Sequence, residues 1–157
     1  MKLKHVLAAS LWLVLIAVAS CKKDSNNDTQ PPQKTTAEKL QAKWSLQSYT
    51  LHVHTVAHDT IPAVDTSETV PGSTTDYFEF RADSMLHLVV YPSIDTSLAY
   101  SIKNDSTVVI SSFNLFTGGD GTYRLRNFTD NTLTLYSSEA DPNDAANYGE
   151  FSWNLKK

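Results

Sequence analysis

The sequence has 157 residues and a single cysteine, Cys21. One cysteine excludes an internal disulfide, so a folded domain in this chain must be stabilised by its hydrophobic core. The sequence also lacks the local motifs of several enzyme classes. There is no Gly-x-Ser-x-Gly nucleophile elbow. The glycine-rich stretch FTGGDGTY has neither the lysine nor the following helix of a phosphate-binding loop. We therefore expect no enzyme, no catalytic residues and no cofactor.

No apolar run in the sequence is long enough to remain as a membrane span. The apolar stretch from Val6 to Ala19 is interrupted by one serine and follows Lys2 and Lys4. A spanning helix needs about 20 apolar residues, whereas a charged start and a shorter apolar stretch are typical of a secretory signal. We predict that residues 1–20 are a lipoprotein signal peptide.

The four residues that end at the cysteine, VASC, resemble the lipobox of bacterial lipoproteins. The resemblance implies that Cys21 is lipidated and becomes the first residue of the mature chain. Two or more acyl chains, each worth about 0.8 kcal/mol per buried CH₂, anchor a protein firmly. The start CKKDSNND also resembles lipoproteins common in Bacteroidota, which implies a lipid-anchored outer-membrane protein facing the periplasm or the cell surface. The alternative is an ordinary signal peptide cut near Ala19, with Cys21 left as a free thiol.

Basic residues are too few to indicate a nucleic-acid partner. Removal of residues 1–20 takes Lys2 and Lys4 from the 13 basic residues, so 11 remain against 17 acidic ones, a net formal charge of −6. No basic stripe is present to neutralise phosphates. The segment after the cysteine, KKDSNNDTQPPQKTT, has no aromatic or branched apolar residue and cannot bury enough surface to fold. We expect a disordered tether over residues 21–36 and one domain over residues 37–157.

Alternation of apolar and polar residues dominates the domain. Thr35 and Glu38 have the spacing of a capping box, which predicts a short helix that brings Leu40 and Trp44 toward a core. Beyond it, eight segments place apolar side chains at every second position, which predicts strands. Eight strands joined by short polar turns, with almost no helix, predict a sandwich or a closed barrel. The apolar residues that define the eight strands are Trp44/Leu46, Phe78/Phe80, Leu86/Leu88/Val90, Leu98/Tyr100/Ile102, Val108/Ile110, Tyr123/Leu125, Leu133/Leu135 and Phe151/Trp153/Leu155.

Three stretches resemble the lipocalin-like domains of bacterial lipoproteins, a family whose role is unknown: LQAKWSLQSY, YFEFRADSML and YRLRNFTDNTLTLY. The resemblance covers most of residues 37–157. In that family a short helical turn precedes Gly-x-Trp at the start of the first strand. Here Trp44 matches the tryptophan, and Ala42 stands at the glycine position. The resemblance implies an all-β fold, an eight-stranded antiparallel up-and-down barrel with a short N-terminal helix.

Large residues on the inward face of the predicted barrel are the candidate ligand-binding residues. The interior of an eight-stranded barrel is either filled by its own side chains or able to hold one small ligand. The many bulky residues favour filling, with at most a shallow depression at one end, near the loop of residues 118–121. The candidates are Phe78, Phe80, Leu88, Tyr100, Phe113, Phe116, Tyr123, Leu135 and Trp153.

One histidine cluster has the composition of a metal site. In LHVHTVAHD, His52 and His54 are two residues apart and would share one face of a strand, with His58 or Asp59 available to complete a site. The alternative is that these side chains are solvated on the outer face, because Leu51 and its neighbour Val53 would take the inner one. We favour the second interpretation and expect no metal.

The remaining polar groups predict no active site. The carboxylates Asp65 and Glu68 fall in a predicted loop and are expected to be solvated. His87 alternates with apolar residues and should point outward. Three hypotheses for function follow: a barrel that binds a small apolar ligand, a solid barrel whose loops Thr55–Thr74 and Ser137–Tyr148 contact another envelope protein, and a metal-dependent enzyme that uses the histidine cluster.

Overall fold

The computed structural model describes residues 33–91 and 93–157. The predicted signal peptide, the predicted lipidation site Cys21 and most of the predicted tether lie outside the described residues. In the described part of the chain, no helix is long and apolar enough to span a bilayer.

A short helix, α1 (Thr36–Leu40), precedes the first strand. The backbone N–H of Glu38 donates to Thr35 Oγ1 at 3.2 Å, and the Glu38 carboxylate accepts from the Thr35 backbone N–H at 2.7 Å. This second bond lowers the pKa of Glu38. The indole of Trp44 donates to the carbonyl of Leu40 at 2.8 Å, and both side chains are fully buried. The predicted capping box and helix are confirmed, and the helix is fixed against the core.

The rest of the domain is β-structure, as predicted. Eight strands match the eight alternating segments of the sequence, and every pairing between them is antiparallel. A ninth strand, β2, was not predicted. The strands are β1 (Lys43–Thr55), β2 (Val64–Pro71), β3 (Tyr77–Phe80), β4 (Met85–Val90), β5 (Ile94–Asn104), β6 (Thr107–Ile110), β7 (Gly121–Arg126), β8 (Thr132–Ala140) and β9 (Tyr148–Lys156).

The eight predicted strands form a closed barrel because β1 also pairs with β9. Strand β1 is longer than its neighbour β3 and pairs with it only over Lys43–Ser45. Over its second half β1 pairs instead with β2, from Ser48↔Pro71 to Thr55↔Val64. The predicted loop Thr55–Thr74 is therefore wrong over residues 64–71. The predicted loop Ser137–Tyr148 is wrong over residues 137–140, which belong to β8. Pro71 has no N–H to donate, which suits the end of an edge strand.

A β-bulge in β1 changes which residues face the core. Trp44 and Leu46 point inward, and the pairing with β9 then shifts by one residue between Leu46 and Ser48. An extra residue in one strand moves the following side chains to the opposite faces. Tyr49 and Leu51 consequently pack against the core, while the even-numbered residues that follow the bulge lie on the outer face.

The barrel interior is filled by its own side chains. Seventeen hydrophobic residues are 0–7 % exposed and form one cluster. Close packing of this kind is the normal state of a protein core. The seventeen core residues are Leu40, Trp44, Leu46, Phe78, Phe80, Leu86, Leu88, Tyr100, Val108, Ile110, Phe113, Tyr123, Leu133, Leu135, Phe151, Trp153 and Leu155.

The two ends of the barrel differ. The helix end carries α1, the last residues of the chain and the short connections β3–β4, β5–β6 and β7–β8. The loop end carries the connections β1–β2, β4–β5, β6–β7 and β8–β9, three of which are longer. The chain therefore enters the domain at the helix end and presents its longer loops at the opposite end.

Candidate binding site at the loop end

Exposed apolar side chains gather at the loop end. Among the described residues, six large hydrophobic side chains are exposed, and all six lie in or beside the loop-end connections. Tyr91, in the β4–β5 connection, is 75 % exposed. Clustered exposed apolar residues mark binding surfaces more often than scattered ones do. The six are Val56, Ile61, Val64, Tyr91, Leu115 and Phe116.

An apolar depression of about 500 Å³ opens at this end. One wall comes from β1 and β9, a second from the ends of β4 and β5, and the third from the β6–β7 loop. Two of the lining residues, Phe151 and Trp153, also belong to the buried core cluster. The lining residues are Tyr49, Leu51, Val90, Tyr91, Ser93, Ile94, Leu115, Phe116, Phe151 and Trp153.

The β1–β9 wall is a packed aromatic surface. The rings of Tyr49 and Phe151 stack, with centroids 5.7 Å apart and planes at 14°. Trp153 packs against both, at 5.4 Å from Tyr49 and 4.7 Å from Phe151. Aromatic pairs at these separations attract each other beyond the area that they bury. The wall is therefore held in place before any ligand arrives.

Phe116 separates this depression from a second one of about 390 Å³. The second depression lies over β1, β8 and the β8–β9 loop and includes His54, Glu139 and Tyr148. Phe116 rests against Gly149 of β9, where an added Cβ would lie 2.6 Å from the ring carbon Cε1. The absence of a side chain at Gly149 thus determines where the ring of Phe116 lies.

Beneath the depression, Tyr123 and Trp153 are buried polar side chains. The Tyr123 hydroxyl donates to the carbonyl of Phe113, and burial raises the pKa of Tyr123. The indole N–H of Trp153 is buried and makes no hydrogen bond within the described residues. It is turned toward the Tyr123 hydroxyl without reaching hydrogen-bond geometry. Trp153 therefore carries an unsatisfied donor next to the depression.

The structure divides the predicted lining residues into two groups. Phe116 and Trp153 line the depression. Phe113 does not, because its ring is buried between Tyr123 at 5.8 Å and Phe78 at 6.4 Å. The other six predicted residues, Phe78, Phe80, Leu88, Tyr100, Tyr123 and Leu135, are also buried in the core and do not line it.

Most lining residues were missed by the sequence analysis. Tyr49 faces inward only because of the bulge in β1. Leu51 faces inward as predicted, but it was not among the candidate ligand-binding residues. Tyr91 and Leu115 lie in connections between strands, where alternation gives no signal. A shallow depression near the loop of residues 118–121 was predicted, and that loop lies at this end of the barrel. An aromatic residue in a short polar turn, as in YPS at residues 91–93, is a further feature that could have drawn attention to it.

Two histidines of the predicted cluster, His52 and His54, lie on the outer face of β1. His52 Nε2 lies 2.7 Å from Asp65 of β2, and its Nδ1 lies 3.3 Å from Glu150 of β9. The hydrogen bond with Asp65, followed by that with Glu150, raises the pKa of His52. His54 stacks on Tyr148 with centroids 5.0 Å apart. The imidazole of His52 thus links three strands.

The other polar residues singled out in the sequence lie at separate positions. His58 is exposed in the β1–β2 turn, 3.0 Å from Asp59 and away from the other two histidines of the cluster. In the described residues, no group of three or more His, Cys, Asp and Glu side chains has metal-binding geometry. Asp65 and Glu68, predicted in a loop, lie instead on β2. His87 points outward as predicted and contacts Asp95 at 3.0 Å.

No family model, curated protein or solved structure matches this chain.

Proposed function

We propose that this chain is a membrane-anchored, lipocalin-like lipoprotein that binds a small apolar ligand at the loop end of its barrel and catalyses no reaction. The observation that carries the proposal is the apolar depression of about 500 Å³. Small-molecule sites typically enclose about 300–1,000 Å³ and are lined mainly by apolar and aromatic side chains. Tyr91, Leu115 and Phe116 stay exposed around it, and a ligand that covers them removes apolar surface from water.

The affinity should be weak and the selectivity broad. A ligand that removes about 400 Å² of apolar surface, counting both partners, gains roughly 10 kcal/mol. Lost translational freedom and side-chain ordering offset about 4–5 kcal/mol of this gain. The remainder corresponds to a Kd on the order of 0.1 mM. A shallow site on a filled barrel is consistent with such a value, because little of the ligand is enclosed.

The anchoring part of the proposal is supported by the sequence. The VASC motif before a tether-like segment resembles a lipobox, and acyl chains on Cys21 would hold the protein at a membrane. The chain enters the domain next to α1. A tether attached there leaves the loop end free to meet a ligand.

A fluorescence titration tests the binding site. The chain beginning at residue 22 retains every described residue and carries no lipid, and diphenylhexatriene serves as a neutral apolar probe. We expect a saturable increase in fluorescence that Phe116→Ala weakens several-fold, because Phe116 lines the depression. Phe128→Ala is the matched control, since Phe128 packs against Trp44 at the helix end.

Each unexpected result of this titration has a clear meaning. The probe is held at a fixed trace concentration, and fluorescence that still rises linearly as the protein is raised well past about 0.1 mM would show that no site exists. An equal loss of affinity in Phe128→Ala and Phe116→Ala would place the site elsewhere. Thermal unfolding of both variants before titration ensures that each is folded at the assay temperature.

A second candidate function is protein interaction, and Ile61 favours it. His58 and Ile61 exchange backbone hydrogen bonds of 3.1 and 2.8 Å across the β1–β2 turn, so the exposed Ile61 side chain is presented on an ordered turn beyond the depression. Purification from native membranes followed by mass spectrometry separates the two candidates. Small molecules that co-purify favour the first function. A protein that co-purifies in a stoichiometric amount with the wild type but not with the Ile61→Ser variant favours the second. A metal-dependent enzyme has less support, because both nitrogens of His52 face carboxylates.

A further inference from the structure

Charged residues are segregated along the barrel axis. Nine lysines and arginines occur in the described residues, and all nine lie in the half of the domain near α1. Each is in or beside α1, or in or just beyond the part of a strand that runs to the helix end. They are Lys34, Lys39, Lys43, Arg81, Lys103, Arg124, Arg126, Lys156 and Lys157.

Carboxylates dominate the loop end. Fifteen acidic residues are described, and eight of them lie in the loop-end connections or in the strand halves that meet them. A ninth, Glu68, lies on β2 opposite Leu51, which is in the loop-end half of β1. Asp65 and Glu150 face His52, while Asp95 faces His87. The loop end of the described domain therefore has no lysine or arginine to balance its charge. The nine are Asp59, Asp65, Glu68, Asp95, Asp120, Glu139, Asp141, Asp144 and Glu150.

Two of these carboxylates lie beside the apolar surfaces. Glu68 of β2 is directly opposite Leu51 in the β1–β2 pairing. Opposite residues of an antiparallel pair project from the same face of the sheet, so Glu68 projects from the face on which Leu51 lines the depression. Glu139 lines the second depression together with Phe116 and accepts a hydrogen bond from Asn114 at 3.0 Å.

The aromatic residues of the site are also suited to a cation. Tyr91 and Phe116 are exposed at the rim, and the face of an aromatic ring attracts an ammonium or guanidinium group. The same interaction occurs at the other end of the domain, where Lys157 Nζ lies 4.3 Å from the ring centroid of Trp44. At the loop end, the described residues include no lysine or arginine that could take this place.

We infer that the ligand of the loop end is an amphipathic cation, a molecule with an apolar body and an amine or quaternary ammonium group. This inference rests on the proposed function and narrows it. The apolar body lies against Tyr49, Leu51 and Phe151, and the cationic group lies at the rim near Glu68 and the exposed rings. A fatty acid or another anionic amphiphile would bring its carboxylate into a negative potential and is disfavoured.

Three probes with one apolar body test the inference. Diphenylhexatriene is neutral, its trimethylammonium derivative is cationic and its propionic acid derivative is anionic at pH 7. With the chain beginning at residue 22, we expect the cationic probe to bind about fivefold more tightly than the neutral one, and the anionic probe to bind most weakly. The preference for the cationic over the neutral probe should decrease at 1 M salt, because exposed charges are then screened beyond about 3 Å.

Neutralisation of one carboxylate at each end of the barrel tests which end causes the preference for the cationic probe. Glu68→Gln should narrow the difference in Kd between the cationic and neutral probes by about twofold. Asp130→Asn is the matched control, because Asp130 is in the β7–β8 turn at the helix end, and it should leave the difference unchanged.

The outcomes separate this inference from the proposed function. Equal Kd values for the cationic and neutral probes would overturn the inference and leave the apolar site standing. A preference for the anionic probe would also overturn it. If none of the three probes saturates, the proposed function fails and the inference fails with it.

Discussion

Two glycine-to-alanine variants compare a buried site with the loop-end site. Gly121 begins β7, and Gly149 lies in β9 under Phe116. The same methyl group is added in each case, and the local chain gains similar rigidity in the unfolded state. The difference between their free energies of unfolding therefore depends on what each new Cβ meets in the folded protein.

At Gly121 the new Cβ would meet groups that cannot move. It would lie 2.5 Å from the ring carbon Cε2 of Tyr123, and still closer to the carbonyl oxygen of Phe113. Ordinary carbon contacts are about 3.5–4.0 Å. The new Cβ would therefore lie about 1 Å or more too close to both the backbone of Phe113 and the buried ring of Tyr123. Overpacking costs about 1–3 kcal/mol. Separation of the hydrogen-bonded Tyr123 hydroxyl and Phe113 carbonyl adds about 1–3 kcal/mol. We expect Gly121→Ala to lower the free energy of unfolding by about 3–5 kcal/mol.

At Gly149 the new Cβ would meet the ring of Phe116, at 2.6 Å from Cε1. This ring is 39 % exposed and can rotate away into solvent. The stability cost should be below about 1 kcal/mol, since the restricted unfolded chain compensates by about 0.4–1 kcal/mol. Displacement of Phe116 changes the rim of the depression, so the affinity for diphenylhexatriene should fall several-fold.

Urea unfolding and probe titration measure the two effects. Gly121→Ala should lose stability, and Gly149→Ala should lose affinity while it stays folded. Equal destabilisation by the two substitutions would refute the reasoning, because it would show that Phe116 is as constrained as the core. A Gly149→Ala variant with unchanged affinity would show that Phe116 is not part of the site.

Three further predictions concern other parts of the chain. Cys21→Ser should release the full-length protein from membranes or stall its processing, and wild-type protein that takes up no labelled palmitate would contradict lipidation. Tyr123→Phe should cost about 1–3 kcal/mol by leaving the carbonyl of Phe113 without a donor, measured by urea unfolding; an unchanged midpoint would show that the bond contributes nothing. The NMR titration of His52 should give a pKa above 6.5. The contribution of its charged form to the free energy of unfolding is complete below about pH 6.5 and is lost as the pH rises through the raised pKa. A measured pKa at or below 6.5 would contradict the contacts of His52 with Asp65 and Glu150.

The architecture was predictable because inward-facing positions alternate in the sequence. Strands such as β3 and β4 bury every second residue, and burial of an apolar face leaves a clear period of two. Strand β2 could not be found in this way. Its sequence, VDTSETVP, is exposed along almost its whole length, and it is held by pairing with β1 on one side. An edge strand that buries no face leaves no apolar signal.

The candidate site was only partly predictable, for two physical reasons. Inward orientation of Tyr49 depends on the bulge after Leu46, and a one-residue shift of register has no signature in the composition. The charge segregation is also invisible in the linear sequence, because basic and acidic residues alternate along the chain. It becomes clear only when the strand directions place Lys103 and Arg124 at one end and Asp95 and Asp120 at the other.

The central claim is that a ligand binds at the loop end, and the tryptophan indole signals test it most directly. The chain beginning at residue 22 contains two tryptophans, Trp44 at the helix end and Trp153 beside the depression. A ¹⁵N-labelled sample therefore gives one indole N–H signal from each end of the barrel. On addition of the trimethylammonium derivative of diphenylhexatriene, the account predicts a saturable shift of the Trp153 signal and an unchanged Trp44 signal. A shift of the Trp44 signal alone, or of neither signal at saturating probe, would contradict it.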